Sequence, residues 1–264
     1  MENGFKFDAL IPSEMASRAE AIGINKAKMP LASTFVLSVL AGAFIALGAI
    51  FATIVASGTS EVVPYGVSRL LIGFAFCLGL ILVVVAGAEL FTGNNLIVMA
   101  WASGKVNTRQ LLRNWLVVYL GNFVGALGTA ILMFFTKHHS FADGEVGYTV
   151  LAIANGKVNL EFTQALALGI FCNALVCIAV WLTFSARSTV DKIAAIIFPI
   201  TAFVAAGFEH SIANMYFVTI ALIMKSGDAD FFATSNLDLS NLTWDNFFFA
   251  NLLLSLICIF LPFY

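Results

Sequence analysis

Gly207-Phe208-Glu209-His210-Ser211-Ile212-Ala213-Asn214 is a polar stretch inside an apolar run over 193–224. At 1.5 Å per residue, about 32 residues would make a helix of roughly 48 Å. A bilayer's hydrocarbon core is only about 30 Å thick. A single straight helix does not fit, so the glycine and the polar group after it mark a break. A second stretch repeats the skeleton: Gly87-Ala88-Glu89-Leu90-Phe91-Thr92-Gly93-Asn94, inside an apolar run over 70–102. Both read G-x-E-x-x-x-x-N. Irregular backbone at membrane depth survives only when buried in protein or lining a cavity. Two such breaks in matching halves of a chain point to a permeation or substrate site. His210 is the only histidine in an apolar segment, since His138 and His139 share a loop. Ionisable side chains at that depth usually face a bundle interior or a water path.

Composition agrees with a membrane protein. The chain has 264 residues, 61% hydrophobic and 11% charged, with mean hydropathy +0.97. A soluble domain is about half apolar and about a quarter charged. With a net charge of -2 and no basic block, nothing suggests a nucleic-acid partner. Cys77, Cys172, Cys177 and Cys258 lie in apolar runs and read as small buried hydrophobes. None has metal-ligand spacing with a histidine. H-E-x-x-H and G-x-S-x-G are both absent. A haem anchor needs two axial ligands, and the spans offer one histidine. No metal, cofactor or catalytic residue is therefore expected, and the chain is not read as an enzyme.

The predicted fold is an all-α integral membrane protein with six spans in two inverted three-span repeats. The continuous spans are predicted over 31–55, 115–136, 162–184 and 247–264, and the broken ones over 70–102 and 193–224. Residues 1–264 form a single channel domain: an amphipathic N-terminal segment over 1–29, then the pore over 30–264. The segment from Pro12 carries Met15, Ala19 and Ile22 on one face and is expected on the membrane surface or against other subunits. Lys/Arg excess before the first span, at 105–113 and at 187–192 puts both termini in the cytoplasm. In the third span, Gly121 and Gly125 make a small-xxx-small face around Asn122. The last span has Cys258, Ile259 and Pro262 where the repeat predicts Gly, Asn and Gly, and is expected to be shortened.

At these residues the chain resembles the formate/nitrite transporter family, and within it the formate channel branch. The motifs are Ala88–Asn94, Asn114-Trp115-Leu116 with Leu120-Gly121-Asn122, Asn173-Ala174-Leu175-Val176-Cys177, and Gly207–Met215. Phe7-Asp8-Ala9-Leu10 with Pro12 adds to the likeness, which covers about residues 5–253. The tail from Leu254 departs from it. The resemblance implies a homopentamer in a bacterial inner membrane, an aquaporin-like protomer with a pore in each subunit, and passage of formate with or without a proton. It implies a central pore histidine at His210, Thr92 opposite it, Asn173 beside them, and an anion-attracting lysine at Lys157. It also implies a cytoplasmic constriction of Leu80, Leu90, Phe91 and Phe203, and an outer one at Phe76. A cytoplasmic enzyme of formate metabolism is a candidate partner at the N-terminus.

The residues alone make sense of an anion. Each break starts a half-helix whose free N–H groups carry positive partial charge, and such ends bind anionic groups. Thr92 and Ser211 are suited to cap them. An imidazole can donate a hydrogen bond or exchange a proton. Glu89, Glu209, Asn94 and Asn214 read as structural, the carboxylates accepting backbone N–H groups at the breaks. Nitrite and hydrosulfide remain alternatives to formate, and a non-transporting anchor subunit is the alternative of another class.

Overall fold

The structure is a computed structural model that describes residues 9–248. The chain runs through α1 (Pro12–Lys28), α2 (Leu31–Ala56), α3 (Thr59–Val62), α4 (Tyr65–Ala86), α5 (Phe91–Asn94) and α6 (Ile97–Ala102). It continues through α7 (Thr108–Phe135), a 3-10 turn (His138–Ser140), α8 (Glu145–Val158), α9 (Phe162–Thr183) and α10 (Thr189–Ala206). α11 (Ser211–Gly227), α12 (Ala229–Ala233) and α13 (Trp244–Asn246) complete the described residues, which contain no strand. Among these residues, five helices are long and apolar enough to cross a membrane: α2, α4, α7, α9 and α10. The predicted sixth span, with its shortened end, lies outside the described residues.

The helix starts are written in the sequence. Asn107 opens α7 with a reciprocal pair: Gln110 N–H donates to Asn107 Oδ1 at 2.9 Å, and Asn107 N–H to Gln110 Oε1 at 3.1 Å. Ser188 and Asp191 do the same for α10.

Two close crossings set the bundle. α2 packs on α7, where a Cβ on Gly42 or Gly125 would collide with the backbone of Asn122 or Val39. α4 packs on α10, where Gly73 lies against the Thr201 carbonyl. With no hydrophobic drive between helices in lipid, small residues that let backbones approach carry the packing. α11 sits in the middle, with every residue from Ser211 to Leu222 buried.

Two elements differ from the sequence reading. α8 occupies what the sequence suggested was a loop, and it packs against α11. α1 lies on its own subunit, against α6, with Met15, Ala19, Gly23 and Ala27 buried; Gly23 faces Ala100 and Ile97. The small residues at 19, 23 and 27 fit a close helix crossing better than a lipid surface, which favours bulky apolar groups.

The charge pattern predicts opposite faces for Gly66, which is open to solvent, and the exposed Thr189. In intact cells, a membrane-impermeant thiol reagent should label Gly66→Cys and spare Thr189→Cys until the membrane is opened. Equal labelling of both would refute the topology.

Candidate functional site

The two breaks are built alike. α4 and α10 each end on a glycine with left-handed backbone, Gly87 at φ 74° and Gly207 at φ 78°. Only glycine adopts that geometry without a Cβ clash. In each, the next residue's N–H reaches back five positions: Ala88 to Val83 O at 2.9 Å, Phe208 to Phe203 O at 3.0 Å. The glutamate N–H then bonds to a neighbouring span, Glu89 to Leu37 O at 3.2 Å and Glu209 to Leu168 O at 3.4 Å.

The glutamate side chains differ from expectation. Rather than taking backbone N–H groups, each carboxylate binds a lysine and an asparagine. Glu89 takes Lys26 Nζ at 2.6 Å and Asn94 Nδ2 at 2.7 Å. Glu209 takes Lys157 Nζ at 2.9 and 3.0 Å and Asn214 Nδ2 at 2.8 Å. A buried carboxylate is costly unless it is both paired and hydrogen-bonded, and a cation satisfies it better than an amide N–H. Lys26 also donates to Asn94 Oδ1 at 3.0 Å, and Asn94 Nδ2 to Asn114 Oδ1 at 2.9 Å. Lys26 and α1 thus match Lys157 and α8. The sequence reading missed Lys26, although it sits four residues after Ile22 on the apolar face of α1, where a charge is out of place.

The caps also correct the sequence reading. Ser211 does not cap α11; His210 does, its Nδ1 accepting from Ala213 N–H at 3.1 Å. Thr92 does not cap α5, whose first residue Phe91 instead donates its N–H to Asn122 Oδ1 at 2.9 Å. Asn122 Nδ2 closes the break by donating to Ser38 O and Glu89 O, at 2.8 and 2.9 Å. A planar side chain that accepts one hydrogen bond and donates two, arriving from a third helix, serves this irregular turn better than a local hydroxyl.

Freed from capping, the Thr92 hydroxyl meets the other break. Thr92 Oγ1 and His210 Nε2 are 3.2 Å apart, and both residues are buried. The tautomer follows. In the neutral ring, Nδ1 accepts from Ala213, so Nε2 carries the hydrogen and donates to Thr92 Oγ1. The Thr92 O–H is then directed away from the ring and can donate to an anion, and the Nε2–H can do so by turning from Thr92 Oγ1 to it. Cys177 Sγ supports the Thr92 carbonyl at 3.4 Å. One turn earlier on α9, Asn173 is buried with no partner for Oδ1 among the described residues, and it lines neither chamber described next.

A chamber opens on either side. The one beside α1, called inner after the orientation that the charge pattern predicts, measures about 290 Å³ and is lined by Arg18, Lys26, Leu80, Glu89, Leu90 and Lys192 among others. The outer one, about 320 Å³, holds Arg69, Phe76, Lys157, Phe203, Glu209 and His210. Leu80 and Leu90 thus stand at the inner chamber. Phe203 stands with Phe76 at the outer one, their rings edge to face at 5.6 Å, and also stacks on His210 at 5.7 Å. Phe91 lines neither chamber and packs edge to face on Tyr119 at 4.8 Å. The inner set of Leu80, Leu90, Phe91 and Phe203 is therefore divided.

The family model described as formate/nitrite transporter matches residues 13–258. The chain belongs to the formate/nitrite transporter family. It is 42% identical over 251 residues to the formate channel FocA of Escherichia coli K12, covering 94% of this chain and 88% of that one. A probable formate transporter of Methanothermobacter thermautotrophicus is 37% identical, covering 92% and 88%. Among solved structures, a pentameric formate channel with formate bound matches at TM-score 0.81 and 42% identity, over 87% of this chain and 91% of that chain. The formate/nitrite transporter fold is therefore that of a multi-pass helical membrane protein.

Removing Lys26 strands a Glu89 side chain that is only 4% exposed. Breaking one partner of such a pair costs about 3–5 kcal/mol. Lys26→Met should lower the thermal midpoint of the purified protein markedly, and Lys26→Met/Glu89→Gln should recover much of the loss. Additive losses in the double variant would contradict the coupling.

Proposed function

We propose that the chain passes formate across the cell membrane through a pore in each subunit of a homopentamer. The carrying observation is the 3.2 Å meeting of Thr92 Oγ1 and His210 Nε2 between the two chambers. Formate is small enough for two donors and a narrow apolar path. The solved relative that binds formate supports this substrate, and its pentameric state supports the assembly. The lysine and arginine pattern supports cytoplasmic termini, with the N-terminal segment within reach of cytoplasmic enzymes of formate metabolism.

In this reading the anion leaves water at either chamber and replaces its lost hydration with the His210 Nε2–H and the Thr92 O–H. The half-helix N-terminus at Ser211 adds positive partial charge. A carboxylate crossing apolar walls is otherwise costly. Phe76 and Phe203 outside, with Leu80 and Leu90 inside, restrict water around it. Because Nδ1 is taken by the Ala213 N–H, a second ring proton requires the cap to open. His210 thus acts first as a hydrogen-bond donor, and proton exchange is coupled to loss of a cap that contributes about 1 kcal/mol.

His210→Asn tests this. Its Oδ1 can still cap Ala213, but its shorter amide cannot reproduce Nε2–H. The assembled variant should retain its pentamer, still pass formate anion down its gradient, and lose acid-stimulated uptake. The measurement is labelled formate flux with co-transported proton in proteoliposomes between about pH 5 and 8, with nitrite and hydrosulfide as competitors. Parent-like flux and pH dependence in the variant would leave His210 a structural residue.

A further inference from the structure

Among the described residues, three charged side chains line the outer chamber: Arg69, Lys157 and Glu209. Lys157 and Glu209 form a closed pair, at 2.9 Å and only 16% and 14% exposed, so at a distance their charges largely cancel. Arg69 has no carboxylate partner among the described residues. It sits on α4 and donates Nε–H to Ala205 O at 3.1 Å and Nη2–H to Val204 O. Both carbonyls belong to the last turn of α10, immediately before the break at Gly207. A guanidinium has five N–H donors, and these two bonds use only the edge facing α10. A Cβ on Gly207 would lie 3.5 Å from Nη2, so the guanidinium reaches the break itself.

We infer that Arg69, rather than Lys157, supplies the net positive charge that draws an anion into the outer chamber, while it also fixes the α10 end, which carries Phe203 and leads through Gly207 to His210 at the start of α11. This rests on the permeation reading above. The carbonyl end of α10 takes up part of the guanidinium charge, but a helix end carries only about half an elementary charge. The chamber therefore stays positive. Charged clefts with low-dielectric walls raise the local concentration of counter-ions and steer their entry. Arg69 is thus a positioning and attracting residue: formate meets it before meeting His210.

The inner chamber supports the same logic. Lys26 is closed by Glu89, whereas Arg18 donates to Phe184 O, at the α9 terminus, at 2.9 Å. Each chamber thus has a lysine neutralised by the glutamate of a break, and an arginine bonded to the carbonyl end of a helix.

The test has two arms. In proteoliposomes, Arg69→Gln should raise the half-saturating formate concentration about threefold or more at low salt. High salt should erase that difference, and Arg69→Lys should restore the parent value. The second arm does not depend on which anion is carried. Ala152, exposed and lining the outer chamber, is changed to cysteine. Its labelling by a methanethiosulfonate bearing a sulfonate is compared with that by one bearing a trimethylammonium, with the unmutated chain as the blank. The anion-to-cation rate ratio should fall about threefold or more in Arg69→Gln and hold in Arg69→Lys. Arg69→Met is a second neutral variant, should the first fail to assemble. An unchanged labelling ratio and an unchanged half-saturating concentration in either assembled neutral variant would overturn the proposal. Failure of the parent to carry formate, with the ratio still falling, would instead contradict the substrate and leave the Arg69 assignment standing.

Discussion

Everything at the centre of this protein depends on one hydrogen bond, from Ala213 N–H to His210 Nδ1. A helix that breaks inside a membrane exposes N–H groups with no water to satisfy them. Here the imidazole takes that duty on one nitrogen, which commits the other to carry a hydrogen. The capping bond therefore sets the chemistry of Nε2, and through it the pairing with Thr92. Structure and function share a single ring: the atom that stabilises the half-helix dictates what the opposite atom can donate.

The breaks could not be held at that depth by backbone alone. Gly87 and Gly207 turn the chain, and two lysine–glutamate–asparagine clusters lock the turns to helices outside the main bundle, α1 and α8. Buried ion pairs are weak contributors to net stability, but each fixes one arrangement, because separating it leaves an uncompensated charge. The pore motif is thereby tied to two peripheral helices on opposite faces. Close crossings through Gly42, Gly73 and Gly125 bring the remaining spans near enough for Asn122 and Cys177 to reach the first break.

Much of this was legible before any coordinates. An apolar run too long for a bilayer, interrupted by glycine and glutamate, has few physical outcomes, and the repeat of that pattern located both breaks. Glu89 and Glu209 read as structural because two bare carboxylates would repel the expected anion, and Asn94 and Asn214 read the same way beside them. Their partners were not legible, since the lysines lie 63 and 52 positions away. Thr92 and Ser211 were natural candidates for caps by residue type. Capping, however, depends on which side chain points back along the new helix, and that is a tertiary outcome. α8 was hidden because its moderate hydropathy and its glycines at 147 and 156 resemble a loop. Phe203 lines a different chamber from Leu80 and Leu90, a tertiary placement that no spacing rule specifies.

The account stands on the tautomer of one ring. Nitrogen-15 magnetic resonance of histidine-labelled protein in lipid, with His210→Asn used to assign the signal, reads it directly. The account predicts that His210 carries its hydrogen on Nε2 and leaves Nδ1 an unprotonated acceptor at neutral pH. A resting His210 with its hydrogen on Nδ1 would contradict the cap, the pairing with Thr92 and the donor role together.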